Sequence, residues 1–246
     1  MNKIDGKTET IFAHAVALDS SGRLRNTIYA IGKQAFILNS DHTVLLKFEL
    51  SGVSSPFRLP ISFKANDYDS STFYEEDGKI VFVQKSGDME RKKFSGKGQL
   101  EPEEVSAMFD GFVKKDQPNV ATIHKDILPL LDENLSHIEF SGKKGVLKIV
   151  QRNIFDGTII EITRKKETGM GVVKKDSIGE DFGPFGLRTN DFIALFSFND
   201  EVNFAFPSGK CNFVSVQGRN YGMKGIISLC LYDEMGEITY STGTIS

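Results

Sequence analysis

The sequence predicts an α+β protein built mainly from antiparallel β-sheet. Branched and aromatic residues recur at every second position in many short segments, and glycine or asparagine turns separate several of these segments. Amphipathic segments with helical spacing are few and short. Alternation with a period of two is typical of strands with one buried face, and turns that accept a positive φ are typical of hairpins.

Strand-like alternation extends over much of the chain, and tight turns connect several neighbouring strands. Turn signals lie at 39–41, 77–78, 142–145 and 235–236, where short polar residues and glycines permit tight hairpins. The segments with strand-like alternation are 27–32, 34–38, 44–50, 80–84, 146–151, 158–163, 192–198, 211–217, 226–232 and 237–240.

Helical spacing of apolar residues is confined to 8–18, 102–113 and 125–135. The second of these segments begins at Pro102, where the missing amide hydrogen costs nothing, and two glutamates follow in the first turn. Pro129 lies inside the third segment, which is therefore short or bent. We expect short helices that pack on the sheets.

A loose internal repeat predicts two similar halves. An alternating strand follows a glycine at Gly32 and Gly78, and again at Gly145 and Gly236, with a break at 96–119 between the two pairs. The break contains prolines and an apolar centre, which favours a connector laid over a surface. A second irregular stretch, rich in glycine and charge, is expected to be a long loop and covers 165–190.

Composition limits the class of protein. The 246 residues are 39% hydrophobic and 26% charged, and their length allows one large or two mid-sized domains. Since 33 acidic residues outnumber 30 basic ones, a uniformly basic nucleic-acid binder is not expected, although one basic face is compatible with this balance. No apolar stretch reaches the roughly 18 residues of a membrane span. The first residues carry no targeting pattern, and we expect a cytoplasmic protein.

The sequence contains no motif of a known active site. Neither the phosphate-binding G-x-x-x-x-G-K-S/T loop nor the G-x-S-x-G nucleophile turn occurs. Cys211 and Cys230 each lie in an alternating apolar run, as small buried thiols do, and the four histidines show no metal-binding spacing. We therefore expect no enzyme activity, no cofactor and no metal.

Several segments, in order and at compatible distances, resemble DNA polymerase sliding clamps of the proliferating cell nuclear antigen type. Residues 38–50 (LNSDHTVLLKFEL) resemble a turn and strand of the first clamp domain, and 225–240 (GIISLCLYDEMGEITY) resemble the closing hairpin. Residues 120–149, with VATIHK, LSHI and GVLKI, resemble the entry into the second domain. The layout, with a strand at 77–83 after a helix-like segment at 61–74, is also similar to the shorter clamps of T4-like bacteriophages.

The resemblance implies a DNA clamp fold. Such clamps have two similar domains of repeated βαβββ units, with antiparallel sheets outside and short helices inside, and three subunits close head to tail around duplex DNA. The domains would be 1–100 and 120–246, joined by an interdomain connector at 101–119. Encirclement retains DNA without strong phosphate contacts, so an acidic chain is compatible with this role.

The resemblance also implies which residues face DNA. The inward helices would lie near 5–19, 61–74, 125–135 and 198–206, each with at most one lysine, whereas clamps usually display several basic residues per helix. The candidate phosphate contacts, which could equally be ordinary solvated side chains, are Lys7, His14, Arg23, Arg25, Lys64, His124, Lys125 and Lys210.

A partner-binding pocket is implied beside the connector. Its residues would come from the first-domain turn, from the connector and from the segment after the final strand. Apolar residues of the connector could close the pocket or simply hold the connector down. The candidates are Leu38, His42, Thr43, Met108, Phe109, Phe112, Ser241 and Gly243.

The implied function is that of a DNA polymerase processivity factor. A homotrimeric ring would encircle double-stranded DNA without sequence specificity and tether a DNA polymerase, and an ATP-dependent clamp loader would open and close it. A phage or viral origin would place it in the host cytoplasm. The alternatives are a β-rich viral structural or assembly protein that does not encircle DNA, and an enzyme without a familiar motif.

Overall fold

The chain forms two units of mixed α and β structure in a computed structural model. The first unit comprises 1–113 with 221–223, and the second comprises most of the remaining chain from 114 onward. The division therefore lies inside the predicted connector 101–119. The structure describes residues 2–3, 5–17, 26–39, 41–53, 55–61, 70–97, 99–113, 119–143, 146–153, 157–163, 173–177, 181–207, 212–232, 238–239 and 245.

The described residues of the first unit form two antiparallel arrangements of strands and two helices. One sheet has the strand order β1-β6-β7-β8, and in the other β4, β3, β2 and β5 follow one another. Its elements are β1 (Asn2–Lys3), α1 (Gly6–Ala17), β2 (Asn26–Ile31), β3 (Gln34–Asn39), β4 (Val44–Glu49), β5 (Phe57–Ile61), β6 (Ser70–Glu76), β7 (Lys79–Ser86), β8 (Met89–Phe94) and α2 (Pro102–Val113).

Helix α1 begins at a strong cap and buries aromatic surface. The Asp5 Oδ1 atom accepts hydrogen bonds from the backbone N–H groups of Lys7 and Thr8, both at 3.1 Å. Burial raises the pKa of Asp5, but the hydrogen bonds from the Thr8 hydroxyl and backbone, the Ser51 hydroxyl and the Lys7 backbone together outweigh it and leave that pKa below its usual value. One turn later Phe12 is fully buried, with its ring centroid 5.7 Å from that of Phe57 and 5.3 Å from that of Phe73.

The second unit repeats this plan. Strands β12, β11, β10 and β14 form one antiparallel arrangement, and β13, β9, β15, β16 and β17 form another. Its elements are β9 (Asn119–His124), a 3₁₀ helix (Lys125–Leu130), β10 (His137–Lys143), β11 (Val146–Arg152), β12 (Ile159–Thr163), β13 (Val173–Ser177), β14 (Phe182–Arg188), α3 (Thr189–Leu195), β15 (Glu201–Phe206), β16 (Phe213–Gly218), β17 (Lys224–Ser228), β18 (Leu231–Tyr232) and β19 (Ile238–Thr239).

The strand orders confirm the expected internal duplication. The order β5-β2-β3-β4 of the first unit matches β14-β10-β11-β12 of the second, and β1-β6-β7-β8 matches β9-β15-β16-β17. Strands β3 and β11 follow Gly32 and Gly145, so these two glycines mark equivalent places. In the first unit Gly78 precedes β7, and the equivalent of β7 in the second unit is β16. Gly236 precedes the short strand β19 instead, so Gly236 is not the counterpart of Gly78 and this part of the proposed repeat is wrong.

Two predicted helices, α1 and α2, are confirmed, but the apolar run around Phe192 was assigned wrongly. The segment 192–198 was expected to be a strand, and 198–206 an inward helix. Instead α3 covers Thr189–Leu195 and β15 covers Glu201–Phe206. Phe192 and Leu195 are both fully buried at helical spacing, whereas Val202, Phe204 and Phe206 are buried at alternate positions.

The remaining differences concern irregular sequence. The expected loop 165–190 contains the strands β13 and β14. In place of the helix expected over 125–135 there is a 3₁₀ helix that ends at Leu130, because Pro129 cannot continue an α-helix. Of the helix expected over 61–74, the described ends belong to strands β5 and β6, while 62–69 lie outside the described residues.

Aromatic rings form the core of the second unit. Phe140 lies centrally, with its ring centroid 5.6 Å from that of Phe192, 6.1 Å from that of Phe204 and 5.5 Å from that of Phe206. All four side chains are fully buried. Because Phe204 and Phe206 lie on one face of β15, this strand and α3 close over the same face of β10. No described helix is long and apolar enough to cross a membrane.

We predict that Gly218→Ala destabilises the second unit by about 1–3 kcal/mol. A Cβ atom at Gly218 would overlap the buried side chain of Asn199, whose Oδ1 accepts a hydrogen bond of 2.7 Å from the backbone N–H of Asn220. Urea unfolding measures the loss. Gly111→Ala is the control, since a Cβ there meets no atom within 4 Å in helix α2; an equal loss in both variants contradicts the prediction.

We also predict that acid destabilises the second unit through His137. This side chain is 8% exposed and pairs across the sheet with Arg188. Burial, and then the charge of Arg188, lowers the pKa of His137 below its ordinary value of 6.5.

As the pH falls, His137 therefore binds a proton in the unfolded chain before it does so in the folded protein, and stability is lost below about pH 6.5. Urea midpoints measured from neutral pH to about pH 5 should fall less in His137→Gln than in the parent protein. Parallel profiles would contradict a role for His137.

Candidate functional site

The turn between β3 and β4, which contains the first predicted pocket residues, is held rigidly by Asn39. The Oδ1 atom of Asn39 accepts hydrogen bonds from the backbone N–H groups of Thr43 (2.8 Å) and Val44 (2.9 Å). Its Nδ2 atom donates to Thr43 Oγ1 at 2.8 Å. Leu38 and Thr43 are buried, while His42, at φ 54°, is half-buried. His42 is therefore the predicted residue of this turn that solvent reaches most.

Helix α2 is anchored to the first unit by Phe109. This side chain is 2% exposed, and its ring centroid lies 5.9 Å from that of Phe36. The Nζ atom of Lys47 lies 5.3 Å from the Phe109 centroid and 5.5 Å from the Phe36 centroid, and 3.8 Å from an oxygen of Asp110. A cation held between two rings and a carboxylate favours one docked position of the helix.

The predicted pocket residues of α2 thus differ in exposure. Phe109 is in the core, whereas Met108 and Phe112 are half-buried and partly accessible from solvent. Ser241 and Gly243, which were expected to complete the pocket, lie outside the described residues. The pocket itself stays a prediction, and only His42, Met108 and Phe112 are accessible members of it in the part of the chain that the structure describes.

Few of the predicted phosphate contacts fall within the described side chains. Lys7 is exposed in the first turn of α1, next to the capping residue Asp5. The backbone of His14 belongs to α1, and its side chain is not among those described. Arg23, Arg25, Lys64 and Lys210 lie outside the described residues.

The two described candidates in the second unit, His124 and Lys125, each lie next to a carboxylate. The Nζ atom of Lys125 lies 2.6 Å from Oδ1 of Asp200, and the backbone N–H of Lys125 donates to the Asp200 carbonyl at 2.8 Å. The hydrogen bond and charge of each partner raise the pKa of Lys125 and lower that of Asp200. Next to them, Nδ1 of His124 lies 2.9 Å from a carboxylate oxygen of Asp126.

The helical segments of the second unit carry more acid than base. Residues 125–135 contain one basic residue, Lys125, and three acidic ones, Asp126, Asp132 and Glu133. Helix α3 contains no basic residue. This balance is the reverse of what a phosphate-facing helix usually shows. Any DNA contact on these segments therefore depends on side chains that are already paired within the chain.

An exposed edge strand escaped the sequence analysis. Strand β8 pairs with β7 on one side, and no other described strand pairs with its outer edge. It is exposed almost throughout, with Met89 at 73% and Phe94 at 48%. Its charged residues, Glu90 followed by three basic ones, obscure the alternation. The hairpin turn after β7, at Gly87 and Asp88, was the available signal.

The second unit has a comparable edge. Strand β12 pairs with β11 and has no further neighbour among the described strands. Ile159, at its start, is 54% exposed. Open strand edges with exposed apolar residues are usually covered by another chain or by another element of the fold.

Metal-binding clusters are also absent from the described ranges, where no group of three or more His, Cys, Asp and Glu side chains could hold an ion.

Comparison with known proteins relates the chain to one fold. No protein-family model and no curated protein matches the sequence. Among solved structures, the PCNA2–PCNA3 complex of Sulfolobus tokodaii matches with a TM-score of 0.58 and 14% identity, over 92% of this chain and 97% of that one. Proliferating Cellular Nuclear Antigen of Entamoeba histolytica matches with a TM-score of 0.55 and 10% identity, over 89% and 94%.

A bacterial structure matches as well. DNA polymerase III subunit beta of Borrelia burgdorferi, solved with a natural product, has a TM-score of 0.57 and 12% identity, over 93% of this chain and 64% of that one. These likenesses show the fold alone. The chain has the α+β fold of sliding clamps, which confirms the predicted fold class and resemblance, while the similarity to T4-like clamps stays a prediction.

We predict that Phe109→Ala lowers stability by about 3–5 kcal/mol, because it empties a buried site between α2 and its sheet. Phe112→Ala, on the same helix but half-buried, should cost clearly less. Denaturant unfolding of both variants measures the difference. Equal losses would show that Phe109 does not anchor the helix.

Proposed function

We propose that this protein is a DNA polymerase processivity factor that acts as a homotrimeric ring around duplex DNA. One observation carries the proposal: the clamp fold extends over almost the whole chain, with 92% of it matched to 97% of a PCNA chain. Partial likeness could reflect a shared sheet motif, but a match that includes both units favours the complete clamp architecture.

Oligomerisation is supported by the open strand edges. Strand β8 belongs to the first unit and β12 to the second, and both leave backbone groups on their outer edges without a described strand partner. A head-to-tail contact between β8 of one protomer and β12 of the next would use both edges and could close into a ring. One structural neighbour, the PCNA2–PCNA3 complex, is itself an assembly of two such chains.

Retention on DNA would come from topology more than from affinity. The net charge of −3 and the acid-rich helical segments offer little direct attraction for phosphate. A closed ring needs no such attraction, because it can leave a circular DNA only by opening. In this proposal the protein has no enzyme activity of its own, an ATP-dependent loader opens it, and it tethers a polymerase. A phage or viral origin and a place in the host cytoplasm rest on the sequence resemblance alone.

The mass in solution tests the ring. We predict a trimer by light scattering and an annulus by negative-stain imaging. Ile159→Asp should convert the trimer to monomers, since it places a charge on the β12 edge. Val146→Asp is the matched control, because Val146 is similarly exposed, at 43%, but belongs to the inner strand β11. A parent protein that stays monomeric at high concentration overturns the proposal and favours a viral structural or assembly protein.

Retention on circles tests encirclement. Trimers loaded on a nicked plasmid should stay bound in high salt and slide off after the plasmid is linearised. Equal retention on both forms would mean direct binding, and no retention on either would refute encirclement.

A further inference from the structure

Lys125, a predicted DNA contact of the second unit, is held by a carboxylate of the same chain. Lys125 is half-exposed, and its Nζ atom lies 2.6 Å from Asp200 Oδ1. The Asp200 carboxyl is 69% exposed, so the pair lies at the surface, where DNA phosphate would compete for the same ammonium group. An exposed ion pair of this kind is weak and can be displaced, but the displacement has a cost.

We propose that Asp200 acts as an intramolecular competitor of DNA phosphate: it occupies Lys125 and keeps direct DNA affinity low. The inference rests on the proposed function, in which 125–135 faces the enclosed duplex. It deepens that function by assigning a role to a carboxylate.

The geometry favours a dedicated pairing over a chance contact. The backbone N–H of Lys125 donates to the carbonyl of Asp200 at 2.8 Å, which fixes the two residues side by side where β9 ends and β15 begins. The carboxylate is therefore always within reach of the Lys125 side chain. The neighbouring His124 has a different contact: its Nδ1 atom lies 2.9 Å from a carboxylate oxygen of Asp126 but also accepts a hydrogen bond from the backbone N–H of Asp126, which caps the 3₁₀ helix.

A ring that slides gains from this arrangement. Each lysine that grips phosphate releases counterions and adds about 0.9 to the slope of log affinity against log salt. Phosphate contacts of that strength would slow sliding, while topology already prevents escape. Asp200 thus lets the second unit keep a basic residue at the surface without a strong grip on DNA.

The substitution Asp200→Asn separates charge from structure. The amide keeps an oxygen that can accept from Lys125, and the backbone hydrogen bond between the two residues is unaffected. Because a neutral amide holds the Lys125 ammonium group less strongly than a carboxylate does, phosphate competes for it more easily. Glu103→Gln, on the exposed side of α2, is the matched control, because it changes the net charge by the same amount away from the predicted DNA face.

Binding of the intact protein to a short duplex, measured by fluorescence anisotropy over a range of salt, tests the proposal. Asp200→Asn should bind more tightly at low salt and steepen the salt slope by about 0.9 for each Lys125 that reaches phosphate. Adding Lys125→Gln should abolish the gain, while Lys125→Gln alone should leave the parent slope nearly unchanged. Glu103→Gln should not alter the slope.

Other outcomes overturn the proposal. These are an unchanged slope in Asp200→Asn, a gain that persists without Lys125, an equal gain in Glu103→Gln, or no duplex binding by Asp200→Asn even at low salt. Failure of encirclement is seen separately, as loss of the parent protein from circular DNA. If the parent protein stays on circular DNA but Asp200→Asn has the same duplex affinity and salt slope as the parent, the role of Asp200 is refuted and the proposed function stays intact.

Discussion

Antiparallel pairing of strands over aromatic cores is the constraint from which the other features of this protein follow. In each unit a sheet buries one face against a cluster of phenylalanines, such as Phe12 with Phe73 in the first unit and Phe140 with Phe204 in the second. In sheets of this kind every inner strand is hydrogen-bonded on both sides, whereas a strand at the edge is hydrogen-bonded on one side only. The described strands leave β8 and β12 at such edges, so the same backbone pairing that builds each unit also supplies surfaces for assembly.

Charge has a different role from packing in this molecule. The buried carboxylate of Asp191 is paired with Arg188, and charged groups near the predicted DNA face also pair with one another. Lys125 with Asp200 and His124 with Asp126 show this pattern at the start of the second unit. A protein that holds its ligand by enclosure can neutralise its own cations in this way, whereas one that holds DNA by affinity would lose binding energy with each internal pair.

Helix α2, in the segment between the two repeats, is packed against the first unit. Phe109 fixes α2 against the sheet, with the ammonium group of Lys47 over its ring, while Met108 and Phe112 stay partly accessible. A partner that recognises this region would therefore meet a rigid surface and would pay little ordering entropy on binding. The adjacent β3–β4 turn is equally rigid, because Asn39 holds two backbone amides.

The sequence by itself determined the α+β class, most strands, the helices α1 and α2, and the duplication, because alternation, capping residues and turn glycines act over a few neighbouring positions. It did not determine whether the apolar run around Phe192 is a strand or a helix, since its spacing fits both and only burial against Phe140 decides between them. The resemblance to sliding clamps indicated Lys125 and Phe109 as binding residues. The tertiary structure decided that one is paired and the other buried, because ion pairs and core contacts join residues that are distant in the chain.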